Sequence, residues 1–126
     1  MAKTGLYDRK PLNERIERIF EDTRLTNALT EVVIVSYSVS KQESRLYSKH
    51  MAKLNPAVYD LGLYDVAIAT SSAPAFWEVV PTILPDGSEE INIDGGVVQN
   101  NPSMYAVTLD YAARDYKRFS GDELTP

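Results

Sequence analysis

Apolar residues at Leu12, Ile16, Ile19 and Phe20 follow the i, i+4, i+7, i+8 spacing of one helical face. Pro11 suits the first turn of that helix, Glu14, Arg15, Glu17 and Arg18 form its solvated side, and it ends near Asp22-Thr23. Arg24 to Glu31 reads as a connection. Val32-Val33-Ile34-Val35 is a continuous β-branched run that continues through Ser36 to Val39. Such a run predicts a strand buried on both faces, as in a parallel sheet, with neighbours on both edges. Ser40 to Glu43 reads as a turn and Ser44 to Ser48 as a returning strand. Lys49 to Asn55 fits neither period, and Pro56 interrupts any helix there. Leu63, Val66, Ala67 and Thr70 mark a second helix that stops before Pro74. Phe76 to Thr82 and Glu89 to Ile93 read as strands around the turn Pro85-Asp86-Gly87-Ser88. Tyr105, Leu109, Ala112 and Tyr116 share one face of a third helix, and Ser120 to Pro126 form a polar tail.

Between the last strand and the last helix lies Ile93-Asp94-Gly95-Gly96-Val97-Val98-Gln99-Asn100-Asn101-Pro102. An apolar strand ends in an acid, two glycines allow a tight turn, and Asn101 and Pro102 suit the cap and first position of a helix. This arrangement presents one carboxylate at the carboxyl edge of a sheet, where α/β proteins place their chemistry.

Composition narrows the function classes. At 126 residues, 44% hydrophobic and 25% charged, the chain has ordinary globular proportions and the length of one domain or part of one. A net charge of −5 without a basic stripe argues against nucleic-acid partners. The absence of cysteine excludes disulfides, thiolate metal sites and a cysteine nucleophile. The first ten residues lack the apolar run of a secretory signal, and no stretch approaches the ~20 apolar residues of a membrane span. A cytoplasmic or peripheral membrane location is the expectation.

Together, Ala69-Thr70-Ser71-Ser72-Ala73-Pro74-Ala75-Phe76 and the Asp94-Gly95-Gly96 turn with its Asn-Asn-Pro resemble the patatin-like phospholipase family. The family pattern Ala-Thr-Ser-Ala-Ala-Pro carries alanine where this chain has Ser72. The resemblance runs over roughly residues 6 to 115. It implies an α/β fold, part of a three-layer sandwich with a mostly parallel central sheet. Residues 1–119 would form its back half, with 120–126 as tail. It further implies lipid acyl hydrolysis by a Ser–Asp dyad, with Asp94 as the acid and Gly95 and Gly96 as the turn that positions it. The substrate would be a lipid ester met at a membrane surface, with no metal or organic cofactor. The Gly-x-Ser-x-Gly elbow that would carry the nucleophile occurs nowhere in these residues. The expectation is therefore a fragment, inactive alone and weakly stable, whose front half and its partner are not specified here. An interaction module that kept the back half of the fold is the alternative.

Other candidates have plainer explanations. Asn100 and Asn101 are placed to line the site, although helix capping accounts for Asn101. Ser72 is a further candidate for the site lining, but neither Ser71 nor Ser72 has the glycine flanks of an elbow. Trp77 reads as packing, His50 as a solvated histidine, and Glu89 and Glu90 as turn-edge charge. Ser38-Val39-Ser40-Lys41 and Lys3-Thr4-Gly5 match penicillin-binding motifs in reversed order. Tyr37 with Lys41 matches a dehydrogenase motif without its glycine loop. These matches are accidental.

Overall fold

A computed structural model describes residues 5–120, with side chains through residue 115. Helix α1 spans Lys10–Phe20, with Pro11 in its first turn and no buried residue. A short 3-10 turn, Leu25–Asn27, leads to β1, Val33–Ser38, and β2, Glu43–Ser48. Three helices follow: α2, Lys49–Leu54; α3, Pro56–Tyr59; and α4, Leu63–Thr70. Strands β3, Pro81–Ile83, and β4, Glu89–Asp94, precede the long helix α5, Ser103–Ser120. The tail residues 121–126 lie outside the described residues.

The expected mostly parallel sheet is not what forms. The four strands lie in the order β2-β1-β4-β3, and every pairing is antiparallel. Loop length explains two of the pairings. Four residues join β1 to β2 and five join β3 to β4, whereas a parallel pair needs a crossover of about a dozen. Gln42 and Gly87 take the positive φ values, 57° and 84°, that these tight turns require. The apolar start of β1 reflects its central position rather than strand direction. Val32 and Ile34 pack on the helix side, while Val35 faces the turn after β4.

Two other readings change. Only Pro81–Ile83 of the expected strand Phe76 to Thr82 pairs, because Ala73–Trp77 is a turn closed by the Trp77 N–H on the Ala73 carbonyl. The ambiguous Lys49 to Asn55 segment is helical through Leu54, capped by the Ser48 hydroxyl on the Met51 N–H.

The core sits on one face of the sheet. Leu25, Tyr47, Ala52, Leu61, Val66 and Ala69 are buried together, with Val32, Ile34 and Leu84 against them. The same face carries an unusual set of buried polar groups farther along the strands. Registers Ser36–Arg45, Ser38–Asn92 and Thr82–Glu90 bring these side chains together. Arg45 donates to both Glu90 carboxylate oxygens, at 2.9 and 2.5 Å, and Ser36 donates to Asn92 Oδ1 at 3.2 Å. The Asn92 amide nitrogen is buried without a hydrogen-bond partner among the described residues. The opposite face is apolar yet open, with Ile83 and Ile91 exposed and Tyr37, Leu46 and Ile93 half-buried.

Glu90 is 1% exposed, so its ion pair with Arg45 is shielded from water. Burial pushes its carboxyl pKa up, but hydrogen bonds and charge from Arg45 outweigh this and hold it below the ordinary value. A depressed folded-state pKa contributes stability above the unfolded value of about 4.3, which is lost as pH falls through the folded value. Urea denaturation across pH 7 to 3 is expected to show that loss in the native chain and a flatter profile in Glu90→Gln. Glu90→Ala, which leaves Arg45 only its exposed partner Glu43, is expected to cost about 1–3 kcal/mol at pH 7.

Candidate active site

Asp94 ends β4 and begins a 3-10 turn, Gly95–Val97. Its backbone N–H donates to the Ser72 carbonyl at 3.0 Å, which ties the strand end to the segment after α4. Its Oδ1 accepts from the Gly96 N–H at 2.7 Å. Its Oδ2 accepts no hydrogen bond among the described residues. The carboxylate is thus half-buried, anchored through one oxygen and available through the other.

The glycines have separate reasons to be glycines. Gly95 is buried against β1, and a Cβ there would lie 2.2 Å from the Val35 carbonyl oxygen. No side chain fits that approach. At Gly96 a Cβ would meet Asn100 Oδ1 at 2.9 Å and Asp94 Oδ1 at 3.1 Å, so its absence gives the two polar side chains room. The Val35 carbonyl also receives the Thr70 hydroxyl at 2.7 Å. One backbone group on the central strand therefore lies against both α4 and the acid-bearing turn.

Asp94, Gly95, Gly96 and Asn100 line a common cavity of about 220 Å³ with Thr70 and Gln99. Asn101 is turned away and caps α5, its Oδ1 accepting from the Ser103 N–H at 3.1 Å and the Ser103 hydroxyl at 2.6 Å. Ser72 is buried behind the cavity. Its hydroxyl donates to the Ile68 carbonyl at 2.6 Å and accepts from Arg9 at 2.8 Å. His50 is half-buried at a separate cavity of about 430 Å³ beneath α5, remote in function from the carboxylate. Trp77 lies under the Arg9 guanidinium, 5.7 Å from its ring centroid. No cluster of acids and histidine suited to a metal forms among the described residues, and Glu90 is engaged by Arg45.

Arg9 is the contributor that the sequence reading passed over. It lies outside every motif, and three of its hydrogen bonds reach residues about sixty positions away. The only local hint is a cation beside Pro11 that falls outside the helix's solvated face.

Known proteins resemble this chain in sequence. The sequence model of the family described as Patatin-like phospholipase matches residues 1–107. The chain is 34% identical over 105 residues to "Patatin-like protein 2" of Arabidopsis thaliana, covering 80% of this chain and 26% of that protein. It is 36% identical over 112 residues to "Patatin-like protein 2" of Oryza sativa subsp. indica, covering 86% and 27%. Similarity extends to "Probable inactive patatin-3-Kuras 1" of Solanum tuberosum, 27% identical over 107 residues, covering 82% and 28%. The chain spans about a quarter of the length of these relatives. With the Asp-Gly-Gly turn and the Ala69 to Phe76 segment inside the matched region, this chain belongs to the patatin-like phospholipase family.

Proposed function

We propose that this chain supplies the acid half of a serine lipid acyl hydrolase of the phospholipase A or acylglycerol lipase type. The observation that carries the reading is the singly anchored Asp94 carboxylate. Gly96 fixes Oδ1, Oδ2 accepts no hydrogen bond among the described residues, and Asp94 lines the cavity. In the reaction, Asp94 accepts the proton of a serine hydroxyl as its oxygen attacks the ester carbonyl carbon. The lipid alcohol leaves with a proton, and water then hydrolyses the acyl-serine. The serine and the oxyanion donors must come from outside these 126 residues, which contain no Gly-x-Ser-x-Gly. The competing reading, a non-catalytic module, is favoured by that absence and by the printed name of the potato relative.

The lipid would be met at the edge formed by Tyr7 and Phe76. Their rings stack at 6.2 Å and remain 59% and 50% exposed, with exposed Leu6 beside them. Aromatic rings of this kind suit the headgroup level of a bilayer. A chain of net charge −5, flanked here by Asp8 and Glu78, fits a zwitterionic surface better than an anionic one.

In the longest natural polypeptide that contains this chain, Asp94→Asn is expected to lower ester hydrolysis about 10³-fold or more with an unchanged melting temperature. Near-normal turnover would remove Asp94 from the mechanism and leave the module reading. Gly96→Ala is expected to reduce turnover by displacing the carboxylate, whereas Gly95→Ala is expected to destabilise the fold by at least about 2 kcal/mol, read by urea denaturation. The 126-residue chain alone is expected to leave a short-chain nitrophenyl ester intact. Sedimentation with phosphatidylcholine vesicles is expected to weaken several-fold in Tyr7→Ala/Phe76→Ala, and unchanged binding would place the lipid contact elsewhere.

A further inference from the structure

Arg9 is 5% exposed, and no carboxylate forms an ion pair with it among the described residues. Its charge is met by other means. One terminal nitrogen donates to the Ser72 hydroxyl at 2.8 Å. The other donates to the Ile68 carbonyl at 2.9 Å and the Ser71 hydroxyl at 2.8 Å. Nε donates to Asn13 Oδ1 at 3.0 Å, and the Trp77 ring lies beneath the guanidinium. These acceptors gather at the C-terminal end of α4, where a helix concentrates negative potential. A planar fork fills such a set of acceptors in a way that a lysine cannot.

The segment that carries Arg9 is fastened to the same loop along its length. The Leu6 and Tyr7 N–H groups donate to the Ala75 and Phe76 carbonyls, both at 3.0 Å. Gly5 approaches the Glu78 backbone so closely that a Cβ would lie 2.5 Å from its nitrogen. Residues 5–9 therefore strap the loop that follows α4, and the Ser72 carbonyl within that loop receives the Asp94 N–H.

We propose that Arg9 is a positioning residue for Asp94, acting through Ser72. The proposal extends the reading of Asp94 as the general base and rests on it for its functional consequence. It also accounts for Ser72, where the family pattern carries alanine: its hydroxyl lies between the Arg9 guanidinium and the Ile68 carbonyl. Burial lowers the Arg9 pKa, and attraction to Tyr64 and then to Asp94 opposes that effect.

Hydrogen exchange separates positioning from general stability. The Asp94 amide reports the bond to Ser72, and the Leu25 amide, bonded to the Leu61 carbonyl, shares no partner with Arg9. In the 126-residue chain, Arg9→Met is expected to speed exchange at Asp94 about tenfold more than at Leu25. Ser72→Ala is expected to do so less, and the double variant no more than Arg9→Met alone, the non-additivity of residues acting through one contact. If Arg9→Met does not fold, Ser72→Ala carries the test by its local acceleration at Asp94. Equal acceleration at both amides, none at Asp94, or additive effects would overturn the proposal. In the longer polypeptide, Arg9→Met is expected to lower kcat with KM unchanged, and a change in KM alone would also overturn it. Absence of esterase activity in the unaltered longer protein would refute the functional reading, while the exchange result still decides the role of Arg9.

Discussion

The Val35 carbonyl on the central strand is the point on which the site depends. The Thr70 hydroxyl donates to it from the end of α4, and Gly95 lies against it at a distance that admits no Cβ. Two elements far apart in sequence therefore take their position from one backbone group. β1 pairs with β2 along its whole length and with β4 from Ser36 onward, so the strand that carries this carbonyl is held in the sheet. Asp94, one residue before Gly95 and paired with Ser36 in the register, inherits this fixation. A carboxylate that must act as a base needs such a rigid mount, because its usefulness falls steeply with misplacement.

The two faces of the sheet divide their work unexpectedly. The helix-covered face carries Arg45, Glu90, Asn92, Ser36 and Ser38 beyond its apolar core, whereas the open face carries Tyr37, Leu46, Ile83, Ile91 and Ile93. A buried polar set adds little net stability but makes alternative registers costly. A slip of one residue in β4 would remove Glu90 from Arg45 and send Ile91 into the polar layer. The apolar open face is an area of the kind that soluble proteins normally cover. At the end nearest Asp94 this face reaches the cavity, since Val33 and Val35, which alternate with Tyr37 along β1, are among its lining residues.

Local chemistry made much of this legible in the sequence. The helices around Leu12 to Phe20 and Leu63 to Thr70, the β1–β2 hairpin and the Asp94 turn all announce themselves by period, proline or glycine. The strand directions were not legible, because a run such as Val32 to Val35 reports burial and not the orientation of its neighbours. Loop length was the better guide: four residues between Ser38 and Glu43 leave only the antiparallel choice. The segment from Phe76 to Val80 has strand-forming residues, yet the preceding turn and the Leu6 and Tyr7 backbone engage its start. Arg9 was invisible for a related reason. Nothing within a few residues of it predicts that its donors will be taken up by α4.

The acid and the nucleophile of a dyad are separable parts of a fold. Everything that orients Asp94 is supplied by this chain: the Gly96 N–H on Oδ1, the Ser72 carbonyl on its own N–H, and Gly95 against Val35. None of these contacts needs a serine opposite, so the turn can persist whether or not one is presented. That independence is why family membership establishes the architecture of the acid's mount more firmly than it establishes turnover. On the proposed reading the chemistry would fall to Asp94 Oδ2, which accepts no hydrogen bond among the described residues. Oδ1 already accepts the Gly96 N–H, which leaves Oδ2 the less engaged of the two oxygens. The turn thus distinguishes the two carboxylate oxygens, anchoring one through the Gly96 N–H and leaving the other without a hydrogen bond among the described residues.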